Sequence, residues 1–125
     1  MNLPKPTDGE LAILSVLWGL GPSTVRQVHE VLVQQRDLGY TTVLKMLQVM
    51  TEKGLVLRDE SERTHVYATT QSQAQTQQTL VADLLGRAFG GSALQLVMQA
   101  LSTTKASPAE LVEIRRLLDG PGGAP

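Results

Sequence analysis

The sequence predicts a mainly α-helical chain with one small β-hairpin, and three observations carry that expectation. Ser or Thr followed three residues later by Glu or Gln precedes an apolar periodicity at Thr7-Glu10, Thr24-Gln27 and Ser107-Glu110. In that arrangement the two side chains satisfy each other's free backbone N–H groups at a helix start. Two segments rich in Val, Leu, Thr and Tyr flank the polar stretch "ESER" at 60 to 63, as the strands of a hairpin flank its tip. Glycines stand where the apolar periodicities stop, at 19 and 21, at 54, and at 90 and 91.

Taken in order, the first helix opens on Thr7-Asp8-Gly9-Glu10, buries Leu11, Leu14 and Trp18 with Ile13, Val16 and Leu17 beside them, and ends at Gly19, Gly21 and Pro22. The second starts at Thr24 and turns Val25, Val28, Val31 and Leu32 inward, before "RDLG" reverses the chain. The third runs from about Tyr40 to Lys53 and stops at Gly54. Strands are expected over 55 to 59 and 64 to 69. The Gln-, Thr- and Ala-rich stretch at 71 to 78 resembles a linker, but Gln and Ala are good helix formers and Leu80, Val81, Leu84, Leu85, Ala88 and Phe89 continue its register. Ser92 begins a fifth helix and Ser107-Pro108-Ala109-Glu110 a sixth, with Pro at the favoured first position.

The order helix, helix, turn, helix, hairpin is that of a winged helix-turn-helix. The expected organisation is a winged-helix domain over 1 to 70, a C-terminal helical dimerisation segment over 71 to 119, and a flexible tail, "DGPGGAP" in its setting, over 120 to 125. The last three helices span too few residues to cover their own apolar stripes. A second copy of the chain is the economical cover, which marks Leu84, Leu85, Phe89, Leu94, Val97, Met98, Leu101, Leu111, Ile114, Leu117 and Leu118 as a homodimer interface.

With 125 residues and no cysteine, the chain has no disulfides, thiolate metal sites or Cys nucleophiles. Its two histidines, His29 and His65, are too few for a His-based metal cluster, so no metal and no cofactor are expected. His29 reads as a packing or surface residue, and the methionines at 46, 50 and 98 as core fillers. No paired carboxylates, Ser-His-Asp set or Gly-rich phosphate loop come together on these helices, and the chain is not expected to be an enzyme. Neither a secretory signal nor a transit peptide is visible at "MNLPKPTDGE", and no apolar run approaches a membrane span. A cytoplasmic protein with no membrane insertion is the expectation. Net charge is −1, and neither half of the chain hides a basic excess, so a nucleic-acid reading must rest on where the charges sit.

The third helix supplies that placement. At 100° per residue, Val43, Met46, Leu47 and Met50 fall on one side, and Thr41, Lys45, Gln48 and Glu52 on the other, with Thr42 and Val49 on one flank and Leu44 on the opposite flank. The outward row offers hydroxyl, ammonium and amide groups, the mixture that reads base edges and phosphates in a major groove. Free N–H groups near Tyr40 and Thr41 add a place for a phosphate oxygen. Arg63 and His65 at the hairpin tip complete the expected DNA-binding set of Tyr40, Thr41, Thr42, Lys45, Gln48, Arg63 and His65. Arg26, Lys53 and Arg58 read equally well as phosphate contacts and as solubilising charges. The alternative for the whole row is a solvated face.

The ordered set "LAILSVLW", "YTTVLKMLQ" followed by "EKGLV", "ERTHVY", and Gly91-Ser92 ahead of two terminal helices resembles the penicillinase-repressor family of bacterial transcription factors, along nearly the whole chain. The resemblance implies a winged helix joined to a helical dimerisation segment, and repression through a palindromic double-stranded DNA operator. Family DNA contacts would fall on Thr41, Thr42, Lys45 and Gln48, with support from Arg63. Glu62 and Val49 stand where relatives often carry Gly and a basic residue. Gln99 and Ala100 match the Asn-Phe pair that a protease cuts in the penicillin-sensing branch, and the cysteine motif of the copper branch has no counterpart. The expected function is a dimeric sequence-specific repressor, with release by proteolysis or by ligand left open and any upstream sensor or protease unassigned. A winged-helix protein-interaction module and a ligand-responsive regulator are the alternatives.

Overall fold

The computed structural model describes residues 5–120. It contains helices α1 (Asp8–Leu20), α2 (Val25–Leu32) and α3 (Tyr40–Lys53), strands β1 (Val56–Asp59) and β2 (Val66–Thr69), and helices α4 (Gln73–Ala88), α5 (Ala93–Thr103) and α6 (Pro108–Asp119). Mostly helical with a two-stranded antiparallel hairpin, this is the fold class expected. The chain forms two compact units divided between Val81 and Ala82, inside α4. The tail expected over 120 to 125 lies, beyond Gly120, outside the described residues.

Local chemistry explains the helix starts. Thr7 Oγ1 accepts from the Glu10 amide at 3.2 Å while Glu10 Oε1 accepts from the Thr7 amide at 2.9 Å. The same reciprocal pair forms at Thr24-Gln27, Ser72-Gln75 and Ser107-Glu110. α1 runs one turn position further than expected: it passes through Gly19 to Leu20, and Gly21 closes it by donating to the Leu17 carbonyl at 2.7 Å. A glycine costs up to about 1 kcal/mol relative to Ala inside a helix, and Gly19 stands one residue from the end of α1, where packing of the preceding turns outweighs it. α3 stops where expected, because Gly54 takes the left-handed conformation at φ 82° that a side chain disfavours.

The first unit is organised around Ile13, Leu14, Val16 and Leu17 of α1, Val25, Val28 and Leu32 of α2, Val43, Leu47 and Met50 of α3, and Leu55, Val56 and Tyr67 of the hairpin, all buried. Each fully buried Leu, Ile or Met contributes about 1.5–3 kcal/mol relative to exposure. The hairpin is shorter than expected. Its register pairs Val56 with Thr69 and Asp59 with Val66, so residues 60 to 65 form the tip. Asp59 draws the chain out of the ladder by accepting from the Ser61 amide at 2.9 Å, an Asx-type turn that leaves Thr64 and His65 unpaired with β1.

Three long-range ties fix these parts. Ser23 and Tyr67 exchange both backbone hydrogen bonds, at 2.9 and 2.8 Å, joining the α1–α2 turn to β2. The indole N–H of half-buried Trp18 donates to the Gln71 carbonyl at 3.1 Å, anchoring the exit of the hairpin on α1. Lys53 Nζ lies 2.7 Å from Glu10 Oε2, and the Glu10 side chain is only 5% exposed. Lys53 is therefore a strut between the end of α3 and the start of α1, and its sequence reading as a phosphate contact or a solubilising charge is corrected by this pairing.

The second unit contains α5 and α6, each begun by a serine cap: Ser92 accepts from the Gln95 amide at 3.2 Å and Ser107 from the Glu110 amide at 3.1 Å. Gly90 and Gly91, at φ 56° and 83°, carry the break that precedes α5. No residue of α5 or α6 is buried in the single chain. Exposed pairs Asp83–Arg87 and Glu113–Arg116 lie along the polar sides.

The Glu10–Lys53 pair generates a pH-dependent prediction. Burial pushes the Glu10 carboxyl up, but the Lys53 hydrogen bond, the Thr7 amide and the Lys53 charge together hold it below the ordinary 4.5. A lowered carboxylate pKa adds stability above its unfolded value, and that contribution is lost as the pH falls from 4.5 through the lowered value. Lys53→Met should lower unfolding free energy by about 1–3 kcal/mol at neutral pH, since it strands a buried carboxylate. Denaturant titrations of both proteins should show this gap closing in acid, where Glu10 is neutral in each.

Candidate nucleic-acid interface

α3 has two chemically opposite sides. Val43, Leu47 and Met50 are 0% exposed, and Met46 is half-buried beside them. Thr41, Thr42, Lys45, Gln48 and Glu52 are all exposed, and so is Val49. The helical periodicity thus yields both rows as expected, with the inner row clamped by the core so that the outer row is presented on a rigid backbone.

The start of α3 differs from every other helix in the described residues. Thr7, Thr24, Ser72, Ser92 and Ser107 cap α1, α2, α4, α5 and α6 with a side-chain oxygen. Gly39, at the corresponding position of α3, has no side chain to do so. The N–H groups of the first turn, the positive end of the helix dipole, are thereby left to whatever meets the surface. The turn before it is nonetheless well held. His29 Nε2 lies 2.9 Å from the Leu38 carbonyl, which can only accept, so Nε2 carries the proton. The His29 ring also meets Tyr40 edge-on at 6.0 Å, confirming His29 as a packing residue.

A cleft of about 620 Å³ separates the start of α2, the first turn of α3 and the wing tip. Thr24, Arg26, Tyr40, Leu44, Arg63 and His65 line it over Tyr67. Three of the expected DNA-binding residues, Tyr40, Arg63 and His65, are thus brought together, whereas Thr41, Thr42, Lys45 and Gln48 lie on α3 without lining this cleft. Arg26, which sequence left undecided, joins the cleft because the Thr24 cap starts α2 beside the wing.

Charges on the wing are partly self-compensated. Glu60 Oε2 lies 3.1 Å from Arg58 Nε, and Glu60 Oε1 lies 3.9 Å from His65 Nε2. The Tyr67 hydroxyl, followed by the Glu60 carboxylate, raises the Arg58 guanidinium above its ordinary value. Hydrogen bonds from Ser61 lower the Asp59 carboxyl. Sequence places Glu60 close to the headpiece cations but does not assign it these partners. An acid two residues beyond Arg58 and five before His65 on a tight tip was the available signal.

The expected dimerisation residues are also placed. Leu84, Leu94, Val97, Met98, Leu101, Leu111, Leu117 and Leu118 are exposed, Leu118 to 71%, while Leu85, Phe89 and Ile114 are half-buried. Among the described residues no group of three or more His, Asp or Glu is disposed to hold a metal ion, and no single helix is long and apolar enough to cross a membrane.

Comparison with known proteins adds to this geometry. The chain is 39% identical over 98 residues to the transcriptional regulator BlaI of Mycobacterium tuberculosis, covering 78% of this chain and 71% of that protein. The solution structure of monomeric BlaI from Bacillus licheniformis, in complex with the blaP half-operator, superimposes with a TM-score of 0.52 at 22% identity, over 58% of this chain and 89% of that one. A probable transcriptional regulator from Pseudomonas aeruginosa aligns over 91% of this chain and 76% of its own at 23% identity and a TM-score of 0.44. The sequence profile of the penicillinase repressor family matches residues 6–120. The chain belongs to the penicillinase repressor family, a family of DNA-binding transcriptional repressors and not of enzymes.

Proposed function

We propose that two copies of this chain pair through α4, α5 and α6 and repress transcription by binding a palindromic operator. Each copy lays α3 in the major groove, with Thr41, Thr42, Lys45 and Gln48 against bases and phosphates. The wing residues Arg63 and His65, with Tyr40, meet the adjoining backbone. The observation that carries the reading is the division of α3 into a buried apolar row and an exposed polar row, on the one helix among the described residues whose first turn has no side-chain cap. The structural neighbour from B. licheniformis, solved with a half-operator, supports the same use of this fold. A DNA operator as partner entails a cytoplasmic location.

Pairing is supported by the exposed apolar residues of the last three helices. Burying large apolar side chains such as Leu94, Leu117 and Leu118 between two copies removes them from water at about 25 cal/mol per Å². It also makes the second half-site contact intramolecular, which raises avidity by roughly 10²–10⁴ without any new DNA contact. One headpiece alone offers few cations. Each phosphate contact adds affinity that salt removes, so a single copy should hold DNA weakly at physiological ionic strength.

Gln48→Ala should weaken binding to a duplex selected from a randomised pool by about 1–3 kcal/mol and relax base preference at one position of each half-site. Lys45→Ala should weaken binding across sequences and flatten the salt dependence by a slope of about 1 for each copy. Fluorescence anisotropy across a salt series reads both, and wild-type affinity in both variants overturns the α3 assignment. The exposed Leu94 and Leu117 test pairing: a Leu94→Glu, Leu117→Glu chain should sediment as one copy. It should lose about 10²-fold or more in affinity for the full palindrome and keep wild-type affinity for a half-site. A variant that still sediments as two copies would place the interface elsewhere.

A further inference from the structure

We propose that Glu60 is an internal stand-in for a DNA phosphate, an affinity-setting residue that occupies the Arg58 guanidinium, beside His65 on the wing, until backbone phosphate displaces it. The inference rests on the reading that the wing faces DNA. One carboxylate oxygen pairs with Arg58, Oε2 to Nε at 3.1 Å, and the other, Oε1, lies 3.9 Å from His65 Nε2, which is a cation only when protonated. All three side chains are open to solvent, at 56%, 32% and 44% exposure for Glu60, Arg58 and His65. Ion pairs that exposed are weak and exchange readily, so a phosphodiester carrying a full negative charge can replace the carboxylate. Asp59, at the end of β1, is committed to the turn by accepting from the Ser61 amide at 2.9 Å.

The location makes this exchange matter. His65 lines the same cleft as Arg26, Arg63 and Tyr40, and Glu60, which does not line it, reaches within 3.9 Å of His65 at its edge. A phosphate entering there meets a carboxylate within reach of His65 and must either repel it or take its partners. Arg58 therefore gives DNA less than its formal charge, in a chain whose net charge is −1. A repressor built this way binds less tightly and releases more readily than its count of basic residues implies.

Glu60→Gln keeps the size of the side chain and removes its charge. The test measures anisotropy of a duplex recovered from a randomised pool with full-length protein, in Glu60→Gln, Arg58→Gln and the double variant. Glu60→Gln should bind about three- to tenfold tighter at low salt, with a salt slope steeper by up to about 1 for each copy. Arg58→Gln should change little in the wild-type background and cost several-fold more when Glu60 is already Gln, a coupling that a double-mutant cycle isolates. Unchanged melting temperatures confirm that the fold is intact. Equal or weaker binding by Glu60→Gln, or the same Arg58→Gln loss in both backgrounds, overturns the proposal. Lys45→Ala in parallel separates the two readings: if it weakens binding while Glu60→Gln does nothing, only the role of Glu60 fails. If neither changes binding, or no duplex is selected, the DNA reading fails with it.

Discussion

The double backbone hydrogen bond between Ser23 and Tyr67 is the constraint on which the rest of the first unit depends. A two-stranded hairpin is at best marginally stable by itself. Here the β2 strand is extended by a third partner, the turn between α1 and α2, and the Tyr67 side chain is 1% exposed in the common core. The wing is thus fixed to the same turn from which the Thr24 cap launches α2, and α2 in turn packs against α3. The distance between the wing tip and the first turn of α3 is set by that chain of contacts, and the cleft between them follows from it. Glu10 and Lys53 do the same at the other end of α3. Clamped at both ends and along its inner row, the helix can present Lys45 and Gln48 without being free to rotate.

Charge distribution explains how a nearly neutral chain serves a DNA-binding family. Acids and bases are interleaved at short range: Glu60 with Arg58 and His65, Glu10 with Lys53, Asp8 with Arg36 at 3.7 Å. The outer row of α3 and the cleft carry the cations that face outward, Lys45, Arg26 and Arg63. Net charge describes solubility and long-range steering, whereas local placement decides what a groove or a phosphate meets. With so few outward cations, paired copies rather than a larger basic patch are the economical source of affinity in the proposed reading.

Features that depend on a few neighbouring residues were legible in the sequence. The boxes at Thr7, Thr24 and Ser107, the stop at Gly54 and the break at Gly90-Gly91 are local chemistry, and all stand where the residues put them. The two rows of α3 follow from 3.6-residue periodicity and were equally readable. What escaped is non-local. Nothing near Lys53 in sequence points to Glu10, 43 residues away. The Trp18–Gln71 bond and the Ser23–Tyr67 bridge join segments whose separation only the folded chain closes. The hairpin ends shifted for a smaller reason: Asp59 prefers an Asx turn to a further rung of the ladder. The cleft was invisible because it is lined from three elements, of which only α3 and the wing were read as one surface.

In the proposed reading, the uncapped start of α3 is where helix stability and DNA contact diverge. Ser, Thr, Asp or Asn at a helix N-cap is typically worth about 1 kcal/mol over an apolar residue, and glycine falls only a few tenths short of that. The chain uses Ser or Thr at all five other helix starts among the described residues, so Gly39 is the exception in a sequence that otherwise follows the rule. A capping side chain there would occupy the N–H groups of the first turn and stand over the face that Thr41 and Thr42 present. Glycine forgoes a little helix stability and keeps both the donors and the approach open. Local rules tend to be broken where a site needs the group that the rule would otherwise satisfy. On this helix the exception coincides with the exposed polar row and borders the cleft of Arg26, Arg63 and His65, so backbone, side chains and dipole all offer positive character to the same side.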